Sequence, residues 1–122
     1  MYRKLINEEE LIIFLKKYNY EIINCEELKL EDQIKIFSQV KNILAPHGAG
    51  LTNLFWVQKG ANIIELSSEN PQPFYFELSQ LKKLNFFRII GKNFFNDSNI
   101  NRNDFIVDLK LVEKILLKYQ LH

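Results

Sequence analysis

The feature that most constrains this chain is a series of short apolar runs without polar alternation, each set off by a helical pattern. Asn42-Ile43-Leu44-Ala45, Asn62-Ile63-Ile64-Glu65-Leu66 and Phe86-Phe87-Arg88-Ile89-Ile90 are too short for helices and read as strands. Glu21-Ile22-Ile23-Asn24-Cys25, short and β-branched, reads as another, placing Cys25 in a buried strand end. Strands that do not alternate are buried on both sides. The expected class is therefore α/β, with a mostly parallel sheet covered on both faces and joined by right-handed crossovers.

The intervening helices carry their own start and stop signals. Asn7 with Glu10 three residues later approximates a capping box, Leu11, Phe14, Leu15 and Tyr18 share one face, and Asn19 stops the helix. Glu31 and Asp32 open a second helix with Ile34, Ile36, Phe37 and Val40 as its apolar residues. Phe74, Leu78 and Leu81 mark a third, which Asn85 terminates, and Asp108 caps a last one bearing Leu109, Val112, Leu116 and Tyr119. The asparagine-rich segment 91–103 reads as a mobile loop. A length of 122 residues fits one domain spanning residues 1–122.

One connection carries chemistry. His47-Gly48-Ala49-Gly50-Leu51-Thr52-Asn53 lies between the strand that Pro46 ends and an apolar helix beginning at Leu54-Phe55-Trp56-Val57. A helix N-terminus offers unpaired N–H groups and partial positive charge, and glycines let the main chain close on an anion. Thr52 and Asn53 add side-chain donors, and His47 could donate to a phosphate or orient a ribose. The same spacing also describes a plain strand-to-helix turn whose glycines serve geometry alone. In parallel sheets ligands sit beyond the carboxyl ends of the strands, which is where this loop and the end of the Glu65 strand lie. Among the aromatic residues, most of which are core filling, Tyr75 is the one whose connection reaches that edge.

Several classes are excluded by composition. A net charge of +1 with interspersed lysines and glutamates gives no electrostatic footprint for nucleic acid. One cysteine cannot form an internal disulfide, and no His, Cys or carboxylate cluster has metal-ligand spacing. No apolar run is long enough to span a membrane and no secretory leader is evident, so the expected location is cytoplasmic.

The ordered pattern Arg3-x-x-x-Asn7-Glu8-x-Glu10-Leu11, then Gln33-x-x-x-Phe37, then HGAGLTN over 47–53, then Gly60-x-x-x-x-Glu65, resembles the C-terminal half of glycosyltransferase family 61. The resemblance implies an inverting transferase similar to GT-B enzymes, with two Rossmann-like domains, of which this chain is the three-layer α/β/α donor half. It implies that Arg3, His47, Gly48, Ala49, Gly50, Leu51, Thr52, Asn53 and Glu65 hold a nucleotide-diphosphate sugar, a uridine diphosphate sugar first among them, with His47 catalytic and Glu65 accepting from the ribose hydroxyls. No further cofactor and no metal are implied. Beside this stand plainer readings: Arg3 as a surface residue near a terminus, Asn7 and Glu8 as capping residues, and Glu65 as a solvated carboxylate. Gln33 either holds the loop from behind or is exposed. The expected partners are the donor, a glycan acceptor, and a separate acceptor-domain chain or a second copy, since the family's strand and Ser-Arg pair ahead of Asn7-Glu8 have no counterpart before Met1. The alternative is a non-catalytic nucleotide-sugar-binding or assembly module.

Overall fold

The computed structural model describes residues 5–48, 51–93 and 104–122, with Thr52 described by its main chain only. Arg3, Ala49, Gly50 and most of the segment 91–103 lie outside the described residues.

Three strands form one parallel sheet in the order β1 (Asn42–Pro46), β2 (Asn62–Ser67), β3 (Asn85–Ile90). The hydrogen bonds from Asn85 N to Ala61 O and from Gly91 N to Ser67 O keep one offset as both chains advance, which is the signature of parallel pairing. In β2, the central strand, Ile63 to Ser67 are buried without alternation, as expected from its sequence. β1 instead alternates, burying Ile43 and Ala45 and leaving the residues between them half-covered.

The chain divides into two compact units. One comprises Ile23–Glu65 and Gln72–Arg88. It holds α2 (Leu30–Phe37), a 3-10 helix at Leu51–Trp56 and α3 (Phe74–Leu81), following α1 (Glu8–Lys16) in chain order. Its core joins Phe37, Ile43, Leu51, Leu54, Ile63 and Leu78, and both α2 and α3 pack on the 3-10 helix. Removing this much apolar surface from water is the main stabilising term, at about 1.5–3 kcal/mol per large side chain.

The other unit comprises Met1–Ile22, Leu66–Pro71 and Ile89–His122. It contains α1, the two-residue antiparallel pair β4 (Lys92–Asn93) and β5 (Phe105–Ile106), and α4 (Leu109–Lys118). Asp108 caps α4 as expected, its side chain accepting from Lys110 N at 2.9 Å. Asn19, at φ 64°, takes the left-handed conformation that ends the α1 turn.

Four sequence expectations are corrected. No strand forms at Glu21–Cys25: residues 21–24 have no regular structure, Ile22 and Ile23 are 42% and 37% exposed, and Asn24 opens a 3-10 turn at Cys25–Glu27. β-branched residues favour a strand only where a neighbouring strand and a burying face exist. Cys25 is accordingly half-buried in that turn, and burial pushes its thiol pKa up. Asn7 makes no side-chain cap. Its carboxamide pairs instead with the Val107 main chain, donating to Val107 O at 2.8 Å and accepting from Val107 N at 3.2 Å. α3 ends at Leu81 with Lys82 as its C-cap and Lys83 left-handed at φ 57°, so Asn85 opens β3 and does not terminate the helix. Finally, the helix after the glycine loop is a six-residue 3-10 helix.

Candidate functional site

β1 delivers His47 directly beyond its last residue, Pro46. Glu65 is the fourth residue of β2 and Arg88 the fourth of β3, so parallel register sets them side by side across the sheet. The three side chains form one chain of contacts. His47 Nδ1 lies 2.9 Å from Glu65 Oε2, and Arg88 Nε donates to Glu65 Oε1 at 2.8 Å. Glu65 has no exposed side-chain surface, while His47 and Arg88 keep 19% and 22% of theirs. Arg88 is fixed a second time, donating through Nη2 to Gln72 O at 2.7 Å, and its guanidinium lies 5.2 Å from the centre of the Phe86 ring.

A buried carboxylate must have both oxygens satisfied or it loses several kcal/mol of hydration without return. Here each oxygen has a partner. Tyr75 closes the site from α3, its ring edge-on to His47 at 4.8 Å and 66°. Burial, with the Glu65 charge nearby, raises the Tyr75 hydroxyl pKa above its ordinary value.

The loop is anchored from behind by α2. Gln33 donates through Nε2 to Cys25 O and Leu28 O at 2.9 and 3.0 Å, and its Oε1 accepts from Asn53 Nδ2 at 2.9 Å. This is the anchoring role left open by the sequence. Leu51 and Leu54 are fully buried, so the 3-10 helix is pinned to the core through its apolar side chains. Gly48 sits exposed at φ +86°, where a side chain is strained although the space around it is open.

The structure thus brings together His47, Glu65 and Tyr75, and seats Asn53 on Gln33. Leu51 turns its side chain to the core, leaving only its main chain for a ligand. Arg3, Ala49 and Gly50 are outside the described residues, as is the Thr52 side chain. The expected helix macrodipole is absent at this loop: a six-residue 3-10 helix has too few aligned peptides to sum one.

Residues 1–64, slightly more than half of the chain, match the family model described as Glycosyltransferase 61. The chain belongs to glycosyltransferase family 61. Among similar curated proteins are EGF domain-specific O-linked N-acetylglucosamine transferases. That of Drosophila melanogaster is 32% identical over 84 residues, covering 66% of this chain and 16% of its own length. Those of Bos taurus and Mus musculus are 30% and 29% identical over 90 residues, covering 70% of this chain and 17% of theirs. The chain therefore spans about a sixth of the length of these relatives. No solved structure matches it.

In this family 61 chain the residue that sequence reasoning missed is Arg88. A signal existed: Glu65 and Arg88 are the lone charges in two otherwise apolar or neutral strands, and a charge in a buried strand needs a partner on the next one. Among the described residues no helix is long and apolar enough to cross a membrane.

Proposed function

We propose that this chain is the donor-binding part of a glycosyltransferase, with residues 47–53, beside Glu65 and Arg88, receiving the diphosphate of a nucleotide sugar for inverting transfer to an acceptor hydroxyl. The observation that carries this reading is the His47–Glu65 pair at the head of the HGAGLTN loop. A turn that served geometry alone would gain nothing from burying a carboxylate, because an apolar side chain of similar size is as stable there. Holding one imidazole in a fixed place at an exposed rim is a reason to bury it.

In this reading the main-chain amides of the loop bind the pyrophosphate and stabilise it as it leaves. Asn53 and Glu65 act from behind as positioning residues, since the Asn53 amide is held by Gln33 and both Glu65 oxygens are taken. Glu65 then orders His47 in place of the ribose contact expected from the sequence. The α/β unit is the Rossmann-like, three-layer donor half of a GT-B-type enzyme, and the acceptor groove comes from a further domain, another chain or a second copy. The relatives are named as N-acetylglucosamine transferases, so uridine diphosphate N-acetylglucosamine is the first donor to test and a glycan or glycosylated protein the acceptor class.

Calorimetric titration with that donor and with uridine diphosphate tests the proposal on the wild-type chain, His47→Ala and Gly50→Val. We expect wild-type binding near about 0.1–1 mM, equivalent to roughly 4–5.5 kcal/mol. His47→Ala should weaken it at least tenfold, and Gly50→Val should leave no measurable heat. Equal null titrations for all three, with the wild type folded, would end this reading.

A further inference from the structure

Glu65 serves two partners at once, and that sharing fixes more than a position. A carboxylate only accepts hydrogen bonds, so the contact at 2.9 Å requires the proton on His47 Nδ1 and leaves Nε2 as the ring's other working atom. Among the described residues, the charges facing the imidazole come from two strands: Glu65 on β2, and Arg88 on β3 bonded to the opposite carboxylate oxygen. From α3 only the neutral Tyr75 ring meets it. Glu65 and Arg88 cancel, so a neutral imidazole leaves the trio uncharged overall, whereas without Arg88 the buried carboxylate would favour an imidazolium beside it.

We infer that Arg88 is a positioning residue that neutralises Glu65 and so keeps His47 uncharged, with a lone pair on Nε2 that accepts a hydrogen bond or proton from a substrate hydroxyl. This deepens the donor-site reading and rests on it for the identity of the hydroxyl. It also reverses one sequence expectation: a neutral ring of this tautomer accepts at its free nitrogen and does not donate to a phosphate there. Arg88 is held for the task by the Gln72 carbonyl as well as by Glu65.

The test is a two-bond 1H–15N correlation spectrum of the full chain labelled at histidine, taken at pH 7 without ligand. His122, which packs edge-on against Tyr18, is the internal reference. In the wild type His47 should show Nδ1 protonated and Nε2 bare. Arg88→Gln should protonate both nitrogens, while Arg88→Lys, which restores the charge, and the double variant Glu65→Gln with Arg88→Gln should return a neutral ring. A merely structural Arg88 would lower stability without changing the His47 pattern. A wild-type proton on Nε2, or an Arg88→Gln spectrum with an unchanged His47 pattern, would overturn the inference. If Arg88→Gln fails to fold, the wild-type charge state decides the matter: a His47 ring protonated at both nitrogens at pH 7 would overturn the inference. No nucleotide is present, so a null calorimetric titration removes the donor reading without altering this result.

Discussion

The two ends of the same three strands solve the same geometric problem with different chemistry. At the amino ends, Asn62 donates to Asn42 Oδ1 at 2.8 Å and Asn85 donates to Asn62 Oδ1 at 3.0 Å, a neutral amide ladder across β1, β2 and β3. At the carboxyl ends the corresponding ladder is His47, Glu65 and Arg88, with a fully buried carboxylate at its centre. Amides lock the register at small cost because nothing charged is desolvated. The charged ladder locks it at greater cost, and what it adds is a fixed place for the His47 ring. A cleft of about 560 Å³ lies at the amide end, lined by Ser38, Lys41, Gln58, Lys59 and Asn62 among others. The two rims differ in side-chain chemistry, neutral amides at one and a charged trio at the other.

The two rims should respond most differently to a change at Glu65. Glu65→Ala leaves the charge of Arg88 uncompensated and His47 without its partner, and should destabilise the chain by about 3 kcal/mol, read by urea unfolding, while abolishing donor binding. Asn62→Ala removes two neutral side-chain bonds at the other rim. It should cost about 1–2 kcal/mol and leave both the His47 spectrum and donor affinity unchanged. Should Asn62→Ala disturb the histidine, the two rims are one coupled unit and the contrast fails.

Gly48→Ala probes the loop itself. A methyl group there meets no atom, so the cost of about 1 kcal/mol comes from φ +86° alone, and thermal melting should fall by only a few degrees. The smallest expected effect is at high pH. Burial pushes the Tyr20 hydroxyl up to about 12. The folded state thus holds that proton more tightly than the unfolded chain, whose tyrosine titrates near 10. The stability that this contributes is fully present below pH 10 and is lost between pH 10 and 12, a loss that Tyr20→Phe should reduce in alkaline unfolding.

What the sequence made legible was whatever is encoded locally or by burial. β1, β2 and β3 fall where unbroken apolar runs put them, Asp108 caps α4, and Asn19 supplies the left-handed stop. What it hid depends on residues far apart in the chain. Asn7 has a capping residue's spacing, yet its partner is Val107, 100 positions away. Ile22 and Ile23 have a strand's composition, yet both stay more than a third exposed outside any strand and Asn24 starts a turn. At the site, the loop and His47 were visible as a motif, whereas Arg88 joined them only when parallel register set it beside Glu65. The 3-10 geometry of Leu51–Trp56 was equally hidden, because Leu51 and Leu54 pack as well from a tight turn as from an α-helix.

We expect ligand recognition at the charged rim and not at the amide rim. Titrating uridine diphosphate N-acetylglucosamine into the uniformly 15N-labelled chain and mapping the amide shifts tests it directly. We expect shifts at residues 47–53 with smaller ones at Glu65 and Arg88, and still amides at residues 38–41 and 58–62. Shifts centred on 38–41 and 58–62, or none anywhere in a folded chain, would contradict it.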